Sequence, residues 1–572
     1  MTTTYTYPGV YIQEISSGQH IITGVPTSIT AFVGRAVMGP TDEPMMCESF
    51  ADFEQFYGGR AGTFPMSYAV YDFFMNGGSQ AIICRVESNA TPPVAATGAI
   101  MGGKLVAANG GLWGTYVTAA WDQQNITDAV AQQYKQYGLT KADLFNLTIS
   151  YQAPGLPATT ESFPLVCGAA AKPVGVPPNR LDLVLSTQSN YVRVGTDASG
   201  KPQLPTVPAS FAAGQVTLSG GTDGGLLSYK ATTKAAAPAA DAGTSTSGDG
   251  GGGEADAGTS GTGGTSAPAA TVPADLPGDP LGRTGIYMLD HVDIFNLLCI
   301  PSDTRTTDVE PATWAAAASY CVGRRAMLIV DPPAVWTSYA KTGNYSNIQP
   351  TYFTISGQDG NDGRNAATYF PRIKEVDPYM GGTTQVMPAC GIIAGVYAST
   401  DAARGVWKAP AGVDAGLAGI DSLEINLTDQ HNGELNVLGI NCLRNFPIIG
   451  PIVWGARTLR GADLLSDDYK YVPVRRLTLY IEESLYRGTK YAVFEPNDEP
   501  LWSQLRLSVN GFLGDLARQG AFYNYFVQCD KTTTTPDDIA RGICNVIVGI
   551  APVKPAEFIV IKIQQVAGQA QS

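Results

Sequence analysis

Histidine and charge are scarce in this sequence, with three histidines and 15% charged residues among 572. Imidazole chemistry therefore has only His20, His291 and His431 to draw on. No CxxC, HExxH, GxSxG or Walker loop is present, so the readiest signatures of redox, metalloprotease, serine hydrolase and nucleotide sites are missing. Clusters of lysine and arginine are lacking too. At a net charge of -14 the chain has no basic run to displace counterions from phosphates, and no nucleic-acid partner is expected. No stretch reaches the roughly eighteen consecutive apolar residues of a membrane span. The start, MTTTYTYPGVYIQE, has neither the basic nor the apolar segment of a secretion signal. Direct membrane insertion is not expected, and the chain is expected to start soluble in the cytoplasm.

What is present describes a large globular protein with many turns. The length exceeds one ordinary core and predicts two to four domains. Hydrophobic residues make up 44%, and 65 glycines and 38 prolines announce turns and at least one unstructured stretch. The nine cysteines are odd in number, widely spaced and set in apolar runs such as LLCIP, which predicts buried free thiols.

Along the chain, Pro8-Gly9 reads as a turn before a short strand at Val10, Tyr11 and Ile12. TSITAFVGRAVMGP reads as a buried strand leaving into a Gly-Pro turn, and residues 68–87 as helix, glycine stop at 76–78, then strand. Residues 90–225 carry short β-rich pieces (LFNLTISYQA, RLDLVLSTQ, YVRVG, QVTLSGG) and predict a small inserted β-sandwich. Residues 231–280, mostly Ala, Gly, Ser, Thr and Pro, bury too little apolar surface to offset backbone ordering and predict a flexible loop. From Ile286 to about Pro410, IYMLDHVDIFNLLCIP, PATWAAAASYCVGR and RAMLIVDPP read as strand, helix, strand of a parallel α/β layer.

Two amphipathic helices follow. One places Leu477, Tyr480, Ile481 and Leu485 on one face with a Glu483–Arg487 pair. The other runs from Pro500 to Gly520 with a stripe of Trp502, Leu505, Val509, Phe512, Leu513 and Leu516. Its opposite face holds Gln504, Arg506, Asn510, Asp515 and Arg518. The final strand, Phe558, Ile559, Val560, Ile561 and Ile563, is apolar on both faces and must find a sheet edge. The best metal candidate is Asp429, His431 and Glu434, but in a polar Asn-Gly stretch this reads as a solvated turn. Asp290 and Asp331, at strand ends, read as loop-capping carboxylates for want of a partner base or nucleophile. No cofactor or metal is expected.

Taken in order, YPGVYIQEI, FADFEQFYGG, YAVYDFFMNGG, LEINLTDQHNGELNVLGINCLRNFPIIGPIVWGARTL, YVPVRRLTLYIEESLYRGTKYAVFEPNDEPLW and PAEFI resemble the contractile tail sheath family of bacteriophages and phage-tail-like bacterial injection particles. The resemblance is strongest from Leu423 to about Ile559. It implies an α/β layer of subtilisin-like topology without the protease residues, and an α+β C-terminal domain. With it the chain divides into an N-terminal linking arm (1–26), a first core part (27–88), the β-sandwich (89–225), the flexible loop (226–282), the subtilisin-like domain (283–420), an inner, tube-facing C-terminal domain (421–555) and a C-terminal linking arm (556–572). The glycine-rich loop is not a family feature. The resemblance further implies a non-enzymatic subunit that stacks in hexameric rings, assembled in the bacterial cytoplasm. Its partners would be neighbouring copies, a tail tube protein, and baseplate and tail terminator proteins. Val10, Tyr11, Ile12 and the 558–563 strand would link subunits, and the polar helix face would touch the tube. Phage and injection particle are not distinguished. A subtilisin-like hydrolase and a β-rich surface adhesin are the rival readings.

Overall fold

The near-continuous apolar runs are strands buried on both faces. In a computed structural model describing residues 20–60, 64–154, 157–168, 175–230, 232–233, 271–272, 274–355 and 360–562, they build one central sheet. Val10, Tyr11, Ile12, Ile563 and most of the glycine-rich loop lie outside the described residues. The chain divides into two units. One holds the residues up to Val37, Pro44–Cys84 and those from His291 on; the other holds Met38–Glu43 and Arg85–Asp290.

In the first unit, eight strands among the described residues form one sheet: β1 (Thr30–Gly34), β2 (Met45–Cys47), β3 (Ala81–Arg85), β4 (Leu297–Cys299), β5 (Met327–Val330), β6 (Ala366–Phe370), β7 (Asn441–Phe446) and β8 (Gly450–Val453). Their order is β2-β3-β1-β4-β5-β6-β7-β8. From β1 through β7 the pairing is parallel, and β2 and β8 close the edges antiparallel. Every residue of β1, β4, β5 and β6 is buried, as a parallel sheet covered on both faces requires. Leu297, Cys299, Met327, Ile329, Ala367 and Tyr369, alternate residues of three strands, share one core with helices α1 (Pro65–Met75) and α2 (Cys390–Arg404).

Those two helices touch backbone to backbone. A Cβ on Gly391 would stand 2.0 Å from the Ala69 carbonyl oxygen, and one on Gly395 would stand 2.6 Å from the Asn76 Cβ. Helix α1 stops at Asn76, whose side chain bonds Asp72 and Ala418, and Gly77 follows at φ +104°.

The second core of this unit is helical. In α3 (Val472–Gly488), Leu477 and Ile481 pack on Val509, Phe512, Leu513 and Leu516 of α4 (Glu499–Arg518). The Arg487 Nε to Glu483 Oε1 bond is 2.7 Å. The Asp498 carboxylate caps α4 by accepting from the Leu501 amide. The hairpin β9 (Phe522–Gln528) and β10 (Ile547–Pro552) follows.

Among the described residues the second unit carries two antiparallel sheets of three or more strands. One pairs Gly214–Thr217, Val117–Asp122, Leu144–Tyr151 and Thr159–Cys167; the other pairs Thr97–Ile100, Gly103–Ala107 and Val192–Val194. Trp113, Tyr151 and Tyr191 cluster inside it, with Tyr151 and Tyr191 stacked at 5.2 Å. The glycine-rich segment leaves and returns at one place. The Asp275 carboxylate accepts from the amides of Asn89 and Ser228, and Thr232–Thr233 pairs with Thr271–Val272.

Three local expectations are corrected. RLDLVLSTQ is not a strand but the helix Leu181–Gln188, because Leu181, Val184 and Leu185 make a buried face at helical spacing. IYMLDH is a turn of 3₁₀ helix, Gly285–His291, and strand β4 begins only at Leu297. LTDQHNGELN is a helix, Asp429–Asn436, not a turn. Thr428 and His431 form its capping box, with the Thr428 hydroxyl accepting from the His431 amide and His431 Nδ1 accepting from the Thr428 amide.

Candidate assembly interface

The C-terminal segment is tied down at a single acidic residue. Arg457 lies just past β8 in a side-chain environment closed to solvent, and its backbone is clasped by Asn441 of β7. The Asn441 Oδ1 accepts from the Arg457 amide at 2.6 Å, and its Nδ2 donates to the Arg457 and Thr368 carbonyls. Each nitrogen of the guanidinium is then engaged. Nε and Nη2 reach the Glu557 carboxylate at 2.8 and 2.6 Å, while Nη1 reaches Asp463 Oδ1 and the Asn436 and Gly461 carbonyls. The Tyr471 hydroxyl donates to Glu557 at 3.3 Å. A bidentate pair with this burial fixes both position and direction of the chain at residue 557.

Past that anchor the chain is bare. Phe558, Ile559, Val560 and Ile561 are 75–84% exposed and pair with no strand among the described residues. Four consecutive exposed apolar side chains of this size are what a soluble monomer avoids. Residues 553–559, with Trp407, Trp454, Lys408 and Tyr471, line a cleft of about 760 Å³. The hairpin β9–β10 has no further strand partner among the described residues, and it exposes Tyr523, Phe526 and Ile547.

On α4 the polar face divides in two. Asp515 and Arg518 are exposed and paired with each other. Gln504, Arg506 and Asn510 are half-buried; Arg506 bonds Glu499 Oε1 at 2.6 Å and the Cys529 carbonyl, and Asn510 donates to the Arg506 carbonyl. Exposed Leu507 interrupts this face.

The residues that would carry chemistry are dispersed. His431 stacks on Tyr345 at 3.9 Å, Asp429 pairs with Arg444, and Glu434 accepts from Gln430. Among the described residues no group of three metal-ligating side chains comes together. His20 stacks on Tyr491, and His291 is exposed. Asp331 is a buried cap, as its position at the end of β5 suggested: Oδ1 accepts from the Ala389 and Cys390 amides at the start of α2. Burial pushes its carboxyl up to about 6. Asp290 is exposed at the end of the 3₁₀ turn. All nine cysteines are free, and burial pushes the Cys47 and Cys442 thiols up to about 12, away from thiolate chemistry.

The role of Arg457 was missed in the sequence because its partner stands a hundred residues away. The signal that existed was one arginine inside an otherwise apolar and small run, PIIGPIVWGARTL.

Residues 289–459 match the family described as the phage tail sheath protein central domain, and residues 466–566 match the phage tail sheath C-terminal domain. The tail sheath protein of Vibrio phage KVP40 is 28% identical over 222 residues, which are 38% of this chain and 32% of that protein. The chain thus spans about a third of the length of this relative. In fold, it is similar to the sheath tail protein of Desulfitobacterium hafniense (TM-score 0.53, 12% identity, 95% of this chain and 100% of that one). It is also similar in fold to the helical sheath of the anti-feeding prophage in the contracted state (TM-score 0.51, 20% identity, 98% and 100%).

Proposed function

We propose that this chain, whose residues 289–459 and 466–566 match the two phage tail sheath domain families, is a structural subunit that polymerises around a tail tube and shortens to drive the tube through a cell envelope. The reading covers phage tails and phage-tail-like bacterial injection particles alike. Its domains are taken to divide as the resemblance implies, with a subtilisin-like α/β layer, an inserted β-sandwich over 89–225, and a linking arm at each end.

The observation that carries the proposal is the arm root. Glu557 is held by a solvent-free Arg457, and the next four residues leave their apolar side chains 75–84% exposed. An extended segment of this kind gains main-chain hydrogen bonds worth about 1 kcal/mol each when it adds to a neighbour's sheet edge. Burial of each large apolar side chain adds roughly 1.5–3 kcal/mol. The hairpin β9–β10, whose edges are unpaired among the described residues, is the receiving sheet, and the N-terminal arm through Val10, Tyr11 and Ile12 joins it. Subunits so tethered stay linked while their bodies rotate between an extended and a contracted lattice. A difference of about a few kcal/mol per subunit between the two packings, summed over many copies, drives contraction without a nucleotide.

Stacked hexameric rings, assembly in the bacterial cytoplasm, and contacts with tube, baseplate and terminator proteins complete the reading. The polar face of α4, above all Asp515 and Arg518, is assigned to the tube. Removing residues 556–572 tests the arm. The expected product is a folded subunit that no longer polymerises, and tubes of normal length from that variant would refute the assignment.

A further inference from the structure

Cys529 follows β9 and Cys544 precedes β10, and their sulfurs lie 3.7 Å apart. Of the nine cysteines, eight are buried and Cys544 is half-exposed. Cys529 is closed off by Leu501, Trp502 and Leu505 of α4, with Tyr491, Ala492 and Val546 at the rim. The pair therefore has one protected and one reachable sulfur.

The backbone between them is held in register. Thr533 and Thr534 hydroxyls bond the carbonyl and amide of Asn545 at 3.1 and 3.0 Å, and the Asn545 side chain donates to the Thr533 carbonyl at 3.1 Å. Arg506 donates to the Cys529 carbonyl from the other side. With both ends of the loop pinned, the 3.7 Å between the sulfurs is a short gap to a bond of about 2.05 Å. Between the cysteines runs a surface segment that includes the short helix Pro536–Ala540, almost all of it exposed or half-exposed.

We propose that Cys529 and Cys544 are a reversible thiol–disulfide site that staples the loop 530–543, with a low-molecular-weight disulfide as the oxidant. Cys544 as thiolate attacks one sulfur of the oxidant and releases one thiolate, leaving a mixed disulfide. Cys529 then loses its proton and attacks the Cys544 sulfur, forming the Cys529–Cys544 bond and releasing the second thiolate. Two protein thiols are oxidised, one small disulfide is reduced to two thiols, and the two protons go to the leaving thiolates. Burial, then the neighbouring Cys544, holds the Cys529 thiol up at about 12, which keeps the protected sulfur in the second, intramolecular step.

The test uses the full chain treated with oxidised glutathione, then alkylated under denaturing conditions and digested with trypsin. The expected result is a disulfide-linked pair of the peptides 519–531 and 542–562, with the other seven cysteines alkylated. Before denaturation, tryptic cleavage at Arg541 should slow by roughly tenfold and recover with dithiothreitol, since closing a loop of this length restricts its opening. Cys544→Ser should abolish the linkage and the slowing, in a chain that still folds because Cys544 is half-exposed. Nine alkylated cysteines, a lasting glutathione adduct on Cys544, or linkage with unchanged cleavage at Arg541 would overturn the proposal.

Discussion

The Arg457 guanidinium grips the Glu557 carboxylate through two bonds of 2.8 and 2.6 Å, joining the edge of the central sheet to the root of the C-terminal arm. The arginine side chain is fully buried and the glutamate side chain 17% exposed. Arg457→Ala should destabilise the chain by about 3–5 kcal/mol, because it strips Glu557 of both guanidinium bonds and the Gly461 carbonyl of its Nη1 bond, while Lys470 still faces Asp463 and the Gly439 amide still serves the Asn436 carbonyl. Glu557→Ala should cost less, about 1–3 kcal/mol, since Asp463 still faces the guanidinium. Denaturant unfolding of the two variants measures the order; equal losses would contradict the geometry.

Glycines in two helices should respond in opposite directions. Gly391→Ala drives a methyl group into the Ala69 carbonyl and should destabilise by about 1–3 kcal/mol despite better helix propensity. Gly433→Ala, in the helix Asp429–Asn436 with nothing within 4 Å of the new Cβ, should stabilise by about 0.5–1 kcal/mol. Thermal unfolding of the pair checks both signs.

Stability should fall as pH rises from about 4 to about 6. The folded Asp331 carboxyl titrates near 6 and an unfolded one near 4, so the folded chain keeps a proton that the unfolded chain releases. Asp331→Asn preserves an oxygen acceptor for the Ala389 and Cys390 amides and should flatten this part of the profile by about 3 kcal/mol. Asp72, raised by burial and then by Glu375, slopes the same way and remains in the variant. An unchanged slope in Asp331→Asn would contradict the assignment.

The glycine-rich loop should be dispensable to the fold. Its entry and exit are fixed by Asp275 and by the pairing of Thr232–Thr233 with Thr271–Val272. Replacing residues 234–270 with an Asn-Gly turn should leave the chain folded and stabilise it by about 2–3 kcal/mol, because closure entropy falls by about 0.6 kcal/mol for each halving of loop length. Differential scanning calorimetry of that variant measures it.

What the sequence revealed followed periodicity. The stripes of α3 and α4 and the buried strands β1, β4 and β5 could be located because their spacing is local and their burial one-sided or complete. Leu181–Gln188 defeated the same reasoning, since eight residues with four apolar positions satisfy either period. Asp429–Asn436 was hidden by its low apolar content and by Gly433; its capping box, Thr428 to His431, lacks the usual acidic third residue. The apolar segment 558–561, which its side chains suggest is a strand, is exposed and forms no strand among the described residues, because it has no sheet edge to pair with there. The half-burial of Arg506 was not legible, because the Cys529 carbonyl reaches it only through the packing of the hairpin.

Charge reversal separates tube contact from polymerisation. Arg518→Glu, at an exposed position, should weaken attachment to the tube protein with sheath polymerisation intact. Arg506→Glu would also break the bond to the Cys529 carbonyl and is the less specific probe. Co-sedimentation with tube protein reads the difference, and undiminished attachment of the Arg518 variant would remove α4 from the tube-facing surface.

Negative-stain electron microscopy of the purified full chain tests the central claim most directly. The account predicts long striated tubes of uniform diameter; discrete monomers or trimers under every polymerising condition would contradict it.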